Sequence, residues 1–173
     1  AAFAAAEFKD ASAVAVGAAN TVWLERGKLA CSNTDTYGFM THLERSAPNW
    51  QTVKGPIVVL GAGGAARAIV HGFVNAGRTD IRIFNRSIER ARALEAYFGK
   101  TVTAYEWHRR NEHVAAAAVI VNTTTLGMKG AGNPEIEFAD ARHDCIAADI
   151  VYVPLETDFL KEARRFRLVT VDG

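Results

Sequence analysis

From residue 56 onward, short apolar runs alternate with stretches whose apolar positions recur every three or four residues. PIVVL at 56–60 and AAAVIVN at 116–122 are too short for buried helices and too uniformly apolar for half-exposed strands. They predict strands buried on both faces. DIRIF at 80–84, TVTAY at 101–105, CIAADIVY at 145–152 and FRLVTV at 166–171 bring the strands to six. Between them, GAARAIVHGFVNAG at 64–77 reads as a helix closed by Gly77. SIERARALEAYFG at 87–99 reads as another, with Ser87 as N-cap and Gly99 at its end, and LETDFLKEARRF at 155–166 as a third. Strand–helix alternation of this kind predicts an α/β fold, a Rossmann-type doubly wound parallel sheet with helices on both faces.

The first third of the chain has a different rhythm. AAFAAAEF at 1–8 is helix-forming, with Phe3 and Phe8 near one face. NTVWL and LACSN flank ERGK, which predicts a hairpin turning at Gly27. FMTHLERSA at 39–47 predicts a helix ended by Pro48, and the polar NWQTVKGP that follows predicts a linker over 48–55 into a domain spanning 56–173.

Composition narrows the function classes. Hydrophobic residues make up 49% and charged residues 23%, a globular profile, and the net charge of +1 provides no broad field for nucleic acid or an acidic membrane. No apolar run reaches the roughly 20 residues of a membrane span. Cys31 and Cys145 lack metal or disulfide spacing and read as small buried hydrophobes of a reducing cytoplasm. His42, His71, His108, His113 and His143 lack ligand spacing and are expected to be structural or exposed. EWHRRNEH at 106–113, with one aromatic and both signs of charge, is expected to be a solvated helix.

The candidate chemistry begins at GAGGAARA, 61–68. Gly61, Gly63 and Ala66 fit the G-x-G-x-x-A spacing between a predicted strand and a predicted helix. The first glycine permits the tight turn, the second lets a pyrophosphate approach the backbone, and the alanine allows close helix–strand packing. The helix N-terminus offers free N–H groups to phosphate oxygens. At the tip of the next strand, where an acidic residue would accept the ribose 2′-hydroxyl of NAD, the chain has Asn85, Arg86 and Ser87, with Arg90 one turn on. A guanidinium there binds the 2′-phosphate of NADP, so the cofactor read from these residues is NADP(H). Arg82 and Arg92 read as members of a solvated helix face.

Taken in order, the motifs resemble those of the shikimate dehydrogenase family. GAANT at 17–21 and NTD at 33–35 resemble its substrate loops, and GAGGAARA and NRSIER at 85–90 its NADP signatures. NTTTLGM at 122–128 resembles the loop after its fourth strand. DIVYVPLET at 149–157 resembles its D-x-x-Y-N-P-x-x-T, with Val153 where the family has Asn. The resemblance implies NADPH-dependent, reversible reduction of 3-dehydroshikimate to shikimate by a substrate domain facing a Rossmann domain, so that 1–47 would be a remnant of the substrate domain plus a linking helix. It implies that Asn20 and Asp35 hold substrate hydroxyls, that Asp35 partners a lysine in proton transfer, and that Tyr152 reaches the substrate from the cofactor side. It also implies that Gly61, Ala62, Gly63, Gly64, Ala65, Asn85, Arg86, Ser87 and Arg90 bind NADP, with Ile150 and Gly173 beside the nicotinamide. The family's lysine falls upstream of Ala1, so this segment alone is expected to reduce dehydroshikimate poorly. The expected partner is the small-molecule substrate, with neither nucleic acid nor membrane involved and a homodimer left open. From the residues alone, Asn20 and Asp35 fit Asx-turns or caps, and Tyr152 fits packing at a strand end. Two other readings share the glycine turn, a glutamyl-tRNA reductase-like NADP enzyme and a non-catalytic NADP-binding module. A quinate/shikimate enzyme preferring NAD would put an acidic residue where Arg86 stands.

Overall fold

The computed structural model describes residues 2–173, so Ala1 of the expected first helix lies outside the described residues. That helix, α1, spans only Ala2–Ala5, and Phe8 stands instead in a two-residue strand, β1 (Phe8–Lys9). Helix propensity loses here to pairing: Glu7 N–H donates to Leu29 O at 2.8 Å and Asp10 N–H to Cys31 O at 3.0 Å. Asp10 then caps α2 (Ala11–Val16) by accepting from Ala13 N–H, and Gly17 closes it in the left-handed conformation. Sequence reasoning passed over this short helix, although Asp10 and Gly17 mark both ends. The predicted hairpin is present as β2 (Thr21–Glu25) and β3 (Lys28–Ser32), antiparallel, with Arg26 and Gly27 both at positive φ in the two-residue turn. With β1 they form a three-stranded sheet in the order β1-β3-β2. Helix α3 (Asp35–Ser46) starts a turn earlier than its apolar pattern indicated.

The segment after Pro48 is packed rather than loose. Trp50 is 1% exposed, donates its indole N–H to Glu44 at 2.6 Å and meets Phe73 edge-on at 5.5 Å. Beyond it lie β4 (Ile57–Leu60), α4 (Gly64–Asn75), β5 (Ile81–Asn85), α5 (Ile88–Phe98), β6 (Val102–Glu106), β7 (Val119–Asn122), β8 (Ile146–Asp149), α6 (Asp158–Arg165) and β9 (Val169–Val171). The six strands form one wholly parallel sheet in the order β6-β5-β4-β7-β8-β9. Alternation along β4 divides the core: Ile57 and Val59 face one apolar cluster with Ile69 and Phe73, while Val58 and Leu60 face another with Phe138 and Phe159. Strand order reverses between β4 and β7, and in such sheets ligands bind outside the carboxyl ends at that switch point.

Two charged or aromatic segments differ from expectation. Residues Trp107–Ala116 form a 3-10 helix that is not simply solvated. His113 is buried, its ring centroid 5.0 Å from Phe84 and 4.4 Å from Tyr105. Arg82 lies in β5 rather than on a helix face, chelating Asp80 at 3.0 and 2.7 Å and donating to His113 Nδ1 at 2.9 Å. Accepting that bond requires a neutral imidazole. Burial, and then the Arg82 charge, hold the His113 pKa below the usual histidine range. A depressed folded-state pKa adds stability present above about pH 6.5, the unfolded value, and lost as pH falls through the folded value. His113→Gln should therefore flatten the acid side of the melting temperature–pH curve below about pH 6.5. An unchanged slope would show that the ring does not titrate with unfolding.

Candidate functional site

The turn joining β4 to α4 occupies the switch point. Gly61 has φ +107° and is pressed against the start of the β7 loop: a Cβ there would stand 2.6 Å from Thr123 Oγ1 and 3.0 Å from Thr124 Cγ2. Gly63 is the opposite case, with open space where its Cβ would be. It precedes α4 without any side-chain cap, so the first helical N–H groups are left for a ligand. Ala66 is fully buried under the sheet, while Ala62 and Ala65 are half-buried and Gly64 is exposed. An exposed glycine at a helix start and an uncapped amino end are the features a pyrophosphate requires.

At the tip of β5 lies a recess of about 400 Å³, lined by Asn85, Arg86, Trp107, Thr124, Thr125 and Glu135 among others. The Asn85 amide donates to Ser87 O at 2.8 Å, and the Ser87 hydroxyl donates to Glu89 at 2.8 Å, so these two side chains shape the turn itself. Ser87 precedes α5 without capping it. The Arg86 and Arg90 side chains are exposed and engage no hydrogen-bond or ion-pair partner among the described residues, and Arg90 lies outside the recess lining. Glu135 would repel an anion, but Arg110 pairs with it at 3.4 Å.

A second cleft, about 490 Å³, opens between α3 and the carboxyl ends of the strands. Asp35 lines it together with Ala65, Ile150, Tyr152 and Gly173. Asp35 Oδ1 accepts from the Asn20 amide at 2.6 Å, and that amide also donates to Thr34 Oγ1 at 3.0 Å. Asn20 Oδ1 accepts from Thr34 N–H at 3.1 Å, which locks the amide's orientation. Asn33 closes an Asx-turn on Asp35 N–H at 3.1 Å. Asn20 therefore holds Asp35 from the side rather than lining the cleft. Tyr152 is 68% exposed on the loop after β8, which ends at Asp149, three residues sooner than the apolar run did. Gly173 abuts Ile150, whose carbonyl would lie 2.7 Å from a Cβ at that position.

The structure thus brings Asp35, Ile150, Tyr152 and Gly173 together, with Asn20 as support. It gathers Asn85, Arg86 and the 122–128 loop at the other end, and leaves Ser87 and Arg90 at the margin. Sequence reasoning missed His42, which lines the cleft and pairs with Asp172 at 2.8 Å. The spacing of residues 35, 38, 39 and 42 is one face of α3, and all four line the cleft. It also missed Trp107 in the recess. Cys145 is inert chemistry, its thiol pushed up to about 12 by burial. Among the described residues no group of three or more His, Cys, Asp or Glu is placed to hold a metal ion.

A parallel sheet in this strand order, with a glycine turn at its switch point and a carboxylate facing it across a cleft, defines a Rossmann-type nucleotide-binding fold with a candidate catalytic site at its mouth. A family model described as shikimate / quinate 5-dehydrogenase matches residues 43–172, and the chain belongs to that family. It is similar to the shikimate dehydrogenase (NADP(+)) of Brucella canis, 47% identical over 176 residues, covering 100% of this chain and 61% of that protein. The Azorhizobium caulinodans shikimate dehydrogenase (NADP(+)) is 44% identical over 164 residues, covering 95% and 58%. Among solved structures, quinate dehydrogenase from Corynebacterium glutamicum in complex with NAD aligns with a TM-score of 0.85 at 29% identity, covering 97% of this chain and 61% of that one. Shikimate 5-dehydrogenase from Thermus thermophilus, in complex with NADP(H) and shikimate, aligns with a TM-score of 0.78 at 32% identity, covering 99% and 62%. The chain spans about three fifths of the length of these relatives.

Proposed function

We propose that the protein carrying this chain is an NADP-dependent shikimate dehydrogenase, interconverting 3-dehydroshikimate and shikimate. The observation that carries this reading is the single cleft in which Asp35, held by Asn20, faces Ala65, Ile150, Tyr152 and Gly173 at the carboxyl ends of the sheet. On this reading residues 1–47 belong to the substrate-facing half, 48–55 connect the halves, and 56–173 hold the cofactor. A cytoplasmic location accords with two free, buried cysteines, and no helix of the described residues is long and apolar enough to cross a membrane.

The residues present fit a phosphorylated dinucleotide. Gly63 and the uncapped start of α4 would take the pyrophosphate, and Arg86, an exposed cation without a partner among the described residues, would take the 2′-phosphate. NADP(H), when bound, supplies or accepts the hydride. Asp35 does the work of this chain in proton transfer: with Asn20 fixing Oδ1, Oδ2 is left to exchange a proton with the substrate oxygen, shared with the lysine that the family resemblance implies. Among the described residues no lysine lines the cleft. Tyr152, projecting from the loop after β8, would close on the substrate from the opposite wall. An NAD-linked quinate dehydrogenase is the second reading, since the Corynebacterium structure aligns well; a cation rather than a carboxylate beyond β5 supports NADP. The direct test is initial-rate reduction of NADP+ by shikimate in the full-length protein. Turnover with shikimate is expected; turnover with quinate and NAD+ alone would overturn the proposal.

A further inference from the structure

The carboxyl ends of β7 and β8 carry a buried polar cluster that the chemistry above does not use. Asn122 and Asp149 are register partners, and with Thr157 they are at most 1% exposed. Asp149 Oδ1 accepts from the Asn122 amide and from Val151 N–H, both at 3.0 Å, and Oδ2 accepts from the Thr157 hydroxyl at 2.7 Å. The Asn122 amide also donates to Leu126 O at 2.7 Å, while its oxygen accepts from Thr124 N–H at 3.1 Å and Thr124 Oγ1 at 2.7 Å. Among the described residues no buried side-chain nitrogen or oxygen lacks a partner. The cluster is closed and fully satisfied.

Burial pushes the Asp149 carboxyl above the usual carboxylate range, against the pull of its three donors. Holding two strands together does not need a buried carboxylate, because apolar residues of similar volume do so without the desolvation cost. What apolar residues cannot supply is direction, and this carboxylate directs two loops at once. Through Asn122 it fixes the 123–128 loop, whose Thr124, Thr125 and Leu126 line the Arg86 recess. Through Val151 N–H and Thr157 it grips both ends of the 150–156 loop, whose Ile150 and Tyr152 line the Asp35 cleft. Thr157 also caps α6, anchoring the far end. The first loop rests directly on the cluster: a Cβ on Gly127 would lie 3.1 Å from Thr157 Cγ2 and 3.6 Å from Asp149 Oδ2.

We propose that Asp149 is a positioning residue which, through Asn122 and Thr157, registers the two loops flanking the dinucleotide and so sets the geometry of hydride transfer. This rests on the NADP–shikimate reading. Asp149 borders the Asp35 cleft, but at 1% exposed and with both oxygens engaged its carboxylate acts through its neighbours. The affinity for the dinucleotide comes from the glycine turn and Arg86, so orientation should suffer more than binding.

The test compares Thr157→Val, Thr157→Ser and Asp149→Asn with wild type in the full-length protein, using NADP+ and shikimate. Thr157→Val and Asp149→Asn are expected to lower kcat about 10- to 100-fold, the usual consequence of a small misplacement, with KM for NADP+ changed by less than about three-fold. The primary deuterium isotope effect on kcat should rise as hydride transfer becomes slower, and Thr157→Ser, which keeps the hydroxyl, should restore kcat. Should Asp149→Asn fail to fold, Thr157→Val still decides, because it leaves the carboxylate bonded to Asn122 and Val151. Unchanged kcat in Thr157→Val, or a loss that Thr157→Ser does not rescue and that follows the folded fraction, overturns this inference alone. A wild-type protein that does not reduce NADP+ with shikimate overturns the functional reading and this inference with it.

Discussion

Asp35→Asn in the full-length protein is expected to lower kcat for shikimate oxidation by about 10²- to 10⁴-fold, the range that a positioned acid–base group contributes. The substitution is nearly isosteric. Its amide oxygen still accepts from Asn20, so the loop joining β3 to α3 keeps its shape. What it loses is the second oxygen's ability to take or release a proton. Affinity for NADP+ should stay within about two-fold, since the proposed cofactor contacts lie on other elements. Steady-state rates together with a fluorescence titration of NADPH separate the two effects. A kcat within a few-fold of wild type would return Asp35 to the role of a helix-starting residue held in an Asx-turn.

Gly61→Ala should disturb both folding and cofactor binding, whereas Gly63→Ala should disturb binding alone. At Gly61 the backbone sits at φ +107°, and the new methyl would meet Thr123 Oγ1 at 2.6 Å. That hydroxyl cannot move aside freely, because it donates to Leu60 O at 2.7 Å while Thr123 N–H donates to the same carbonyl at 2.8 Å. Strain at such a position costs about 1–3 kcal/mol, and relief would come by shifting the turn proposed to receive the pyrophosphate. A lower melting temperature and a loss of NADP+ affinity of at least about ten-fold, or about 1.4 kcal/mol, are expected. Gly63 has negative φ and open space around the missing Cβ, so alanine there should leave the melting temperature unchanged while its methyl obstructs the phosphates. Equal melting temperatures for both variants would contradict this division of labour.

The parallel sheet was legible because its central strands β4, β7 and β8 are short runs buried on both faces, and buried strands have little other way to be written. The glycine turn was legible for the same reason, since Gly61 and Gly63 stand between an apolar run and an amphipathic one. Less legible were features decided by contacts distant in sequence. Phe8 left an alanine-rich helix because the edge of β3 offered it backbone partners. Trp107 and His113 looked solvated amid charges, yet His113 packs on Phe84 and Tyr105, and Trp107 carries Arg110 over its ring at 4.8 Å. His42 could have been found from its helical spacing to Asp35; its partner Asp172, 130 residues on, could not. The cluster around Asp149 shows in sequence as two separate motifs, NTTTLGM at 122–128 and DIVYVPLET at 149–157, and their joining depends on β7 and β8 being neighbours.

The claim on which the cofactor assignment rests is that Arg86 engages a 2′-phosphate, and the ratio of NAD+ to NADP+ dissociation constants tests it most directly. Calorimetric titration of the full-length protein and of Arg86→Gln with both nucleotides gives that ratio. Loss of charge-assisted hydrogen bonds worth about 1.5–3 kcal/mol should weaken NADP+ binding by about 10- to 150-fold and leave NAD+ binding unchanged. A ratio that does not move on removing the guanidinium would contradict the assignment.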